Sequence, residues 1–96
     1  MAELIRFDVA QYQDVQMVVV ESDLLPADPA IVVIPLLVDY PAVKNLNPQI
    51  LFEGKRLVLA TRLIAAVRRG SLRRVGNVAD QGDQIIRAVD VLLAGV

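Results

Sequence analysis

The chain contains no cysteine, no histidine and no tryptophan. Without cysteine there can be no disulfide framework, no thiol nucleophile and no cysteine-based metal site. Without histidine, the usual general base at neutral pH and the commonest metal ligand are both missing. Aromatic residues make up 4% of the chain and hydrophobic residues 55%, so Val, Leu, Ile and Ala must fill the core. No apolar run approaches the ~20 residues of a membrane-spanning helix, and no basic segment precedes an apolar one as in a secretory leader. The expectation is a soluble, cytoplasmic protein with no membrane partner. A chain of 96 residues suits one domain with limited interior, so some of its aliphatic surface is expected to pack against a partner, most simply a second copy.

Charge is present but unevenly spread around a net of −1. Residues 1–53 hold eight acids against Arg6 and Lys44. Residues 54–79 hold Lys55, Arg56, Arg62, Arg68, Arg69, Arg73 and Arg74 with no acid at all, and the remainder sets Asp80, Asp83 and Asp90 against Arg87. A run of this kind is ordinarily a solvated face. The sharper reading is a dock for an acidic peptide or a nucleic acid. No aromatic residue interleaves with the arginines, which argues against a base-stacking platform.

Periodicity predicts strands first and a helix last. Ile5, Phe7 and Val9 alternate with Arg6 and Asp8 as in a half-buried strand. In "VQMVVVES", Val15, Met17 and Val19 share one face, and the triplet Val18–Val20 suggests a central strand covered on both sides. "LLPADPA" reads as a loop, and "IVVIPLLV" as a strand in which Pro35 calls for an edge or a bulge. "DYPAVKNLNP" is a further excursion. "QILFEGKRLVLAT" reads as a hairpin whose tight turn uses Gly54 at positive φ. In "TRLIAAVRRGSLRRVGNV", Thr61 could cap a short helix over 62–69, or an irregular strand from Val67 to Leu72 could close a small barrel. The residue pattern leaves both open.

The last segment is a helix. Asp80 and Asp83 suit its N-terminus. Ile85, Val89, Leu92 and Val96 form its buried stripe, with Ile86 beside it and Leu93 turned back toward it. Gln84, Arg87, Asp90, Val91 and Ala94 face away, and Asp83 and Arg87 stand four apart, where they can pair.

Taken in order, "VESDLLPADPAIVVIPLL" and the terminal "DQIIRAVDVLLAGV" resemble the CcdB family, the toxin half of toxin–antitoxin modules. The resemblance implies a mainly β protein with a C-terminal α-helix: an SH3-like five-stranded antiparallel barrel with a small extra sheet over residues 1–78, including a strand in the basic stretch around 62–75, then a helix over 79–96. It implies a homodimer whose helix ends enter the A subunit of DNA gyrase and trap it on cleaved DNA. A CcdA-like antitoxin, with a tail that folds onto the toxin, would prevent this, and operator DNA would be contacted only through that antitoxin. Carried over residue by residue, Ser22, Leu24 and Leu25 match a Ser-X-aliphatic-aliphatic step beside the tip. Gly95 and Val96 match the final Gly-aliphatic pair, Leu93 an aromatic position before it, and Asp90 replaces an asparagine. Arg62, Arg68, Arg69, Arg73 and Arg74 are the expected seat of an acidic antitoxin tail.

One departure bears on function. Ala94 stands where the family's gyrase poison has tryptophan, and truncating an aromatic anchor to alanine costs about 2–4 kcal/mol. The resemblance therefore implies a non-enzymatic inhibitor with no catalytic residue, metal or cofactor, whose principal anchor is absent. Two alternatives stand beside it. One is a retargeted or non-toxic CcdB-like homodimer that binds antitoxin. The other is a ribonuclease toxin of the MazF kind, with Thr61, Arg62 and Arg56 as a site; lacking histidine, its base would have to be a carboxylate from outside the basic block.

Overall fold

The structure, a computed structural model, describes residues 3–95. Seven strands are present among them: β1 (Asp8–Tyr12), β2 (Val15–Val19), β3 (Ala30–Leu37), β4 (Gln49–Phe52), β5 (Lys55–Leu59), β6 (Ala65–Arg68) and β7 (Arg73–Asn77). The helix α1 spans Gly82–Ala94. Every strand pairing is antiparallel, in the order β4-β5-β3-β2-β1-β7, with β6 attached to β3. No helix among the described residues is long and apolar enough to cross a membrane.

β3 is the hub. One of its edges pairs with β2, whereas the other is shared, with Ala30–Val33 against β6 and Leu36–Leu37 against β5. Pro35 lies at the gap between those two partners. It therefore sits in the most connected strand, where the expectation was an edge or a bulge. The Pro35 carbonyl accepts from the Ala60 N–H at 3.0 Å on that same side. An antiparallel residue aims both backbone groups at one neighbour, so the missing proline N–H falls where no strand needs it.

Splitting β3 in this way makes two layers. The barrel strands β7-β1-β2-β3-β6 curl around Leu4, Ala10, Val19, Ile31 and Val33, with Met17, Val67 and Leu72 at the rim. Their opposite face, through Val9, Val18, Ile34 and Leu36, packs with Ile50, Phe52, Leu57 and Leu59 of the β4–β5 hairpin and with Ile85 and Ala88 of α1. Val18 and Val19 thus enter opposite cores, as a doubly covered strand requires. The fold is the mainly antiparallel, SH3-like sheet with a C-terminal helix that the resemblance implied.

Local chemistry explains the turns. Glu53 and Gly54 both have positive φ (51° and 76°), giving a two-residue loop whose twist matches its strands, and Phe52 pairs with Lys55 across it. At the far end of the sheet order, the Phe52 ring packs on Gly76 of β7. A Cβ there would meet Phe52 Cε1 at 2.5 Å, so this approach of the two sheet ends requires glycine. Beside it, the Gln81 carboxamide donates to the Leu51 carbonyl and accepts from the Leu51 N–H, both at 2.8 Å. It covers the outer edge of β4.

Three expectations need correction. The first strand begins at Asp8, because Phe7 at φ 72° breaks the alternation. Asp8 is therefore fully buried instead of solvent-facing, and Ile5 is exposed. The segment 61–78 is neither a helix nor one strand at Val67–Leu72. It forms a 3₁₀ turn at Thr61–Leu63, then β6, a second 3₁₀ turn at Arg69–Ser71, and β7. In the helix, Val91 is half-buried and not outward. Leu93 does not turn toward the buried stripe but is 76% exposed, since each residue advances about 100° and carries it past Leu92 to the flank.

Candidate protein-binding site

The loop after β2 is held by its own polar side chains. Ser22 Oγ accepts from the Leu24 N–H at 3.1 Å and the Ser22 carbonyl from the Leu25 N–H at 3.2 Å, closing a tight turn. Asp23 Oδ1 accepts from the Arg6 N–H at 2.8 Å, tying that turn to the start of the chain. The outcome is a constrained loop that presents Leu24, 95% exposed, and Leu25, 56% exposed. Ser22 and Asp23 thus act on the local backbone, and the leucines are the groups free to touch a partner.

At the other end of the chain, α1 finishes on Gly95. Its φ of 72° places it in the left-handed region, and its N–H donates to the Val91 carbonyl at 2.9 Å. This is the common glycine ending of a helix, so Gly95 has a structural role whatever else it does. Leu93, Ala94 and Asp90 are exposed on the last turn. Val96 lies outside the described residues. Among the described residues, no hydrogen bond joins the helix end to the Ser22–Leu25 loop.

Asp83 and Arg87 do not close the expected ion pair. Both line a groove of about 500 Å³ between α1 and the loop carrying Val43, Asn45 and Asn47. A continuation of the groove past Ile86 and Val91 reaches Asp90.

The basic block divides by role. Arg74 Nε lies 3.0 Å from Asp8 Oδ1. Asp8 also accepts from the Ile5 N–H and from Asn77 Nδ2, each at 2.9 Å. Arg69 donates to the Asp28 carbonyl at 3.0 Å and reaches Glu21 at 3.7 Å. These two arginines stitch β7 and the β6–β7 turn to the barrel. Arg62, Arg68 and Arg73 are exposed and form no ion pair among the described residues. Arg62 borders a hollow lined by Tyr40, Pro41, Val43 and Leu46.

Thr61 is fully buried. Its hydroxyl donates to the Leu46 carbonyl, and its N–H donates to Asn47 Oδ1 at 3.3 Å. That side chain anchors the 40–48 loop and is closed to a substrate, while Arg56 and Arg62 remain exposed. Among the described residues, no three His, Cys, Asp or Glu side chains gather as metal ligands would. The sequence reading missed Asp8 and Gln81. Asp8 could have been suspected as an acid inside an apolar run, but Gln81 left no signal.

The family model described as CcdB protein matches residues 6–95. No curated protein matches the chain.

Proposed function

The chain belongs to the CcdB family, and from that premise we propose that it is the toxin of a toxin–antitoxin module, acting in the cytoplasm by protein–protein contact without catalysis. The observation that carries this reading is the rigid helix end. α1 is packed through Ile85 and Ala88 up to a glycine-ended tip, and leaves Leu93 and Ala94 to solvent. The target is the A subunit of DNA gyrase, met by the tips of a homodimer through Leu93, Ala94, Gly95 and Val96, with Ser22, Leu24, Leu25 and Asp90 alongside. The antitoxin is CcdA-like, its acidic tail seated on the exposed arginines, and operator DNA is reached only through it.

The exposure of Leu93 alters the energetic argument. Fully burying a leucine side chain contributes about 1.5–3 kcal/mol. That is comparable to the ~2–4 kcal/mol lost by replacing an aromatic anchor with Ala94. The tip therefore keeps an apolar contact at Leu93, smaller than the aromatic residue that the family likeness sets there, and Leu24 and Leu25 add more.

Purified protein incubated with gyrase, supercoiled DNA and ATP tests this by the appearance of trapped linear DNA. We expect trapping by the natural protein, loss with Leu93→Ser, and gain with Ala94→Trp. Trapping by Ala94→Trp alone would support the second reading that Ala94 favours, a disarmed or retargeted homodimer that still binds antitoxin. Silence from both the natural protein and Ala94→Trp would overturn the gyrase target. The ribonuclease reading is disfavoured by the engaged Thr61 hydroxyl.

A further inference from the structure

Among the described residues, no hydrogen-bonded ladder joins β6 to β7. There β6 pairs only with β3, and β7 pairs only with β1, among the described residues. Register tells which backbone groups of β6 are left over. Arg69 N–H donates to the Pro29 carbonyl at 2.8 Å, one step beyond the Ala30–Arg68 pair. Successive residues of a strand aim their backbone groups at alternate sides. Residues 65 and 67 therefore serve β3, and the N–H and C=O of Ala66 and Arg68 face away from it. Both residues are exposed.

This edge contrasts with β4, whose outer amide at Leu51 is covered by Gln81. Proteins usually cover or blunt such edges. At β6 nothing covers it among the described residues, and what flanks it is one sign of charge. Arg62 precedes the strand and Arg68 ends it. Both are exposed and unpaired among the described residues, whereas Arg69 and Arg74 are already engaged. A second copy pairing antiparallel on this edge would bring Arg62 and Arg68 of each chain against those of the other. Like charges set opposite one another destabilise a ladder. An acidic strand would convert the same geometry into attraction.

We propose that the free edge of β6 is a β-augmentation site. It takes an extended acidic segment of a partner protein, whose backbone pairs with Ala66 and Arg68 and whose carboxylates face Arg62 and Arg68. This deepens the antitoxin reading and rests on it for the identity of the partner. The ladder supplies affinity without demanding a particular sequence, and the arginines select the charge.

The test uses the full chain with three synthetic peptides, alternating Val with Glu, Val with Gln, or Val with Lys. The Val–Glu peptide binds, the Val–Lys peptide does not, and binding weakens with salt. It slows amide hydrogen exchange at Ala66 and Arg68 at least tenfold. Ala66→Pro lowers affinity at least tenfold while Val67 keeps its protection, because the lost N–H faces away from β3. Arg68→Glu also weakens binding and keeps the fold. Failure of the Val–Glu peptide to bind would overturn the proposal, as would binding indifferent to Ala66→Pro. So would an edge already protected in a dimer that Ala66→Pro dissociates, since the occupant would then be a second copy. The parent reading is separable. An antitoxin that neutralises the natural protein and Ala66→Pro equally sinks the strand mode alone. A chain that binds the Val–Glu peptide at β6 but no antitoxin sinks the parent reading alone.

Discussion

Replacing Gly76 by alanine probes the contact that brings the two ends of the sheet together. The added Cβ would lie 2.5 Å from Phe52 Cε1 and 2.7 Å from Cζ, where ordinary contact is 3.4–4 Å. The ring must therefore retreat by roughly 1 Å, but it is 8% exposed among Ile50, Leu57 and Val78, and a close-packed interior gives little room. Overpacking of this kind costs about 1–3 kcal/mol. For a chain of this size, about 2 kcal/mol corresponds to a melting-temperature drop on the order of 10 °C. Urea denaturation of Gly76→Ala, Phe52→Leu and the double variant measures it. Phe52→Leu alone leaves a void and costs about 1–2 kcal/mol, but the void is where the new methyl belongs. The double variant should be more stable than the sum of the single effects by about 1 kcal/mol or more. Additive effects, or a neutral Gly76→Ala, would refute the packing of β4 on β7.

Asp8→Ala removes a buried carboxylate and leaves Asn77 Nδ2, Arg74 and the Ile5 N–H without their acceptor. Loss of about 1–3 kcal/mol is expected in chemical denaturation, since the bonds from Ile5 and Asn77 are only part-buried and Arg74 is half-exposed. Gln81→Ala uncovers the β4 edge. It should cost about 1–2 kcal/mol and raise light scattering on concentration, and an unchanged denaturation midpoint would exclude Gln81 as an edge cover. Val89→Asp introduces a charge against the hydrophobic core and should abolish folding or cost about 3 kcal/mol or more by circular dichroism. Ala94→Trp, on the exposed tip, should leave the melting temperature unchanged within a few degrees, and its unfolding would mean that the helix face is wrongly assigned.

Several elements were legible because their signals are local. The hairpin could be read from two apolar runs around Glu53-Gly54, since a two-residue loop needs positive φ and glycine supplies it. The helix could be read from its aliphatic spacing, and β2 from its valine triplet. Each misreading involved something non-local. Pro35 pointed to an edge or a bulge, yet it lies at the seam of a shared strand, which depends on where β5 and β6 attach. Leu93 was assigned by periodicity to the buried side, but the stripe covered by the sheet is narrower than the apolar stripe of the sequence. In 61–78, the apolar residues come as one run, Leu63–Val67, and then singly after a 3₁₀ turn, so neither helical nor strand periodicity could be extracted. Of the candidate target residues, exposure was foreseeable for Ala94 but not for Leu24 and Leu25, which are apolar residues held out by Ser22 and Asp23.

The sequence by itself determined the turns, the aliphatic strand and helix patterns, the acid-free basic block, and a family likeness that spans nearly the whole chain. Those properties reside in neighbouring residues and need no fold to act. Only the tertiary structure decided which arginines are engaged and which are free. It also decided that Asp8 is buried, that the β4 edge is covered, and that the β6 edge is open. The reason is that burial and pairing depend on groups distant in the chain. Asn77 meets Asp8 across 69 positions, and Gln81 meets Leu51 across 30, distances over which no periodicity carries information.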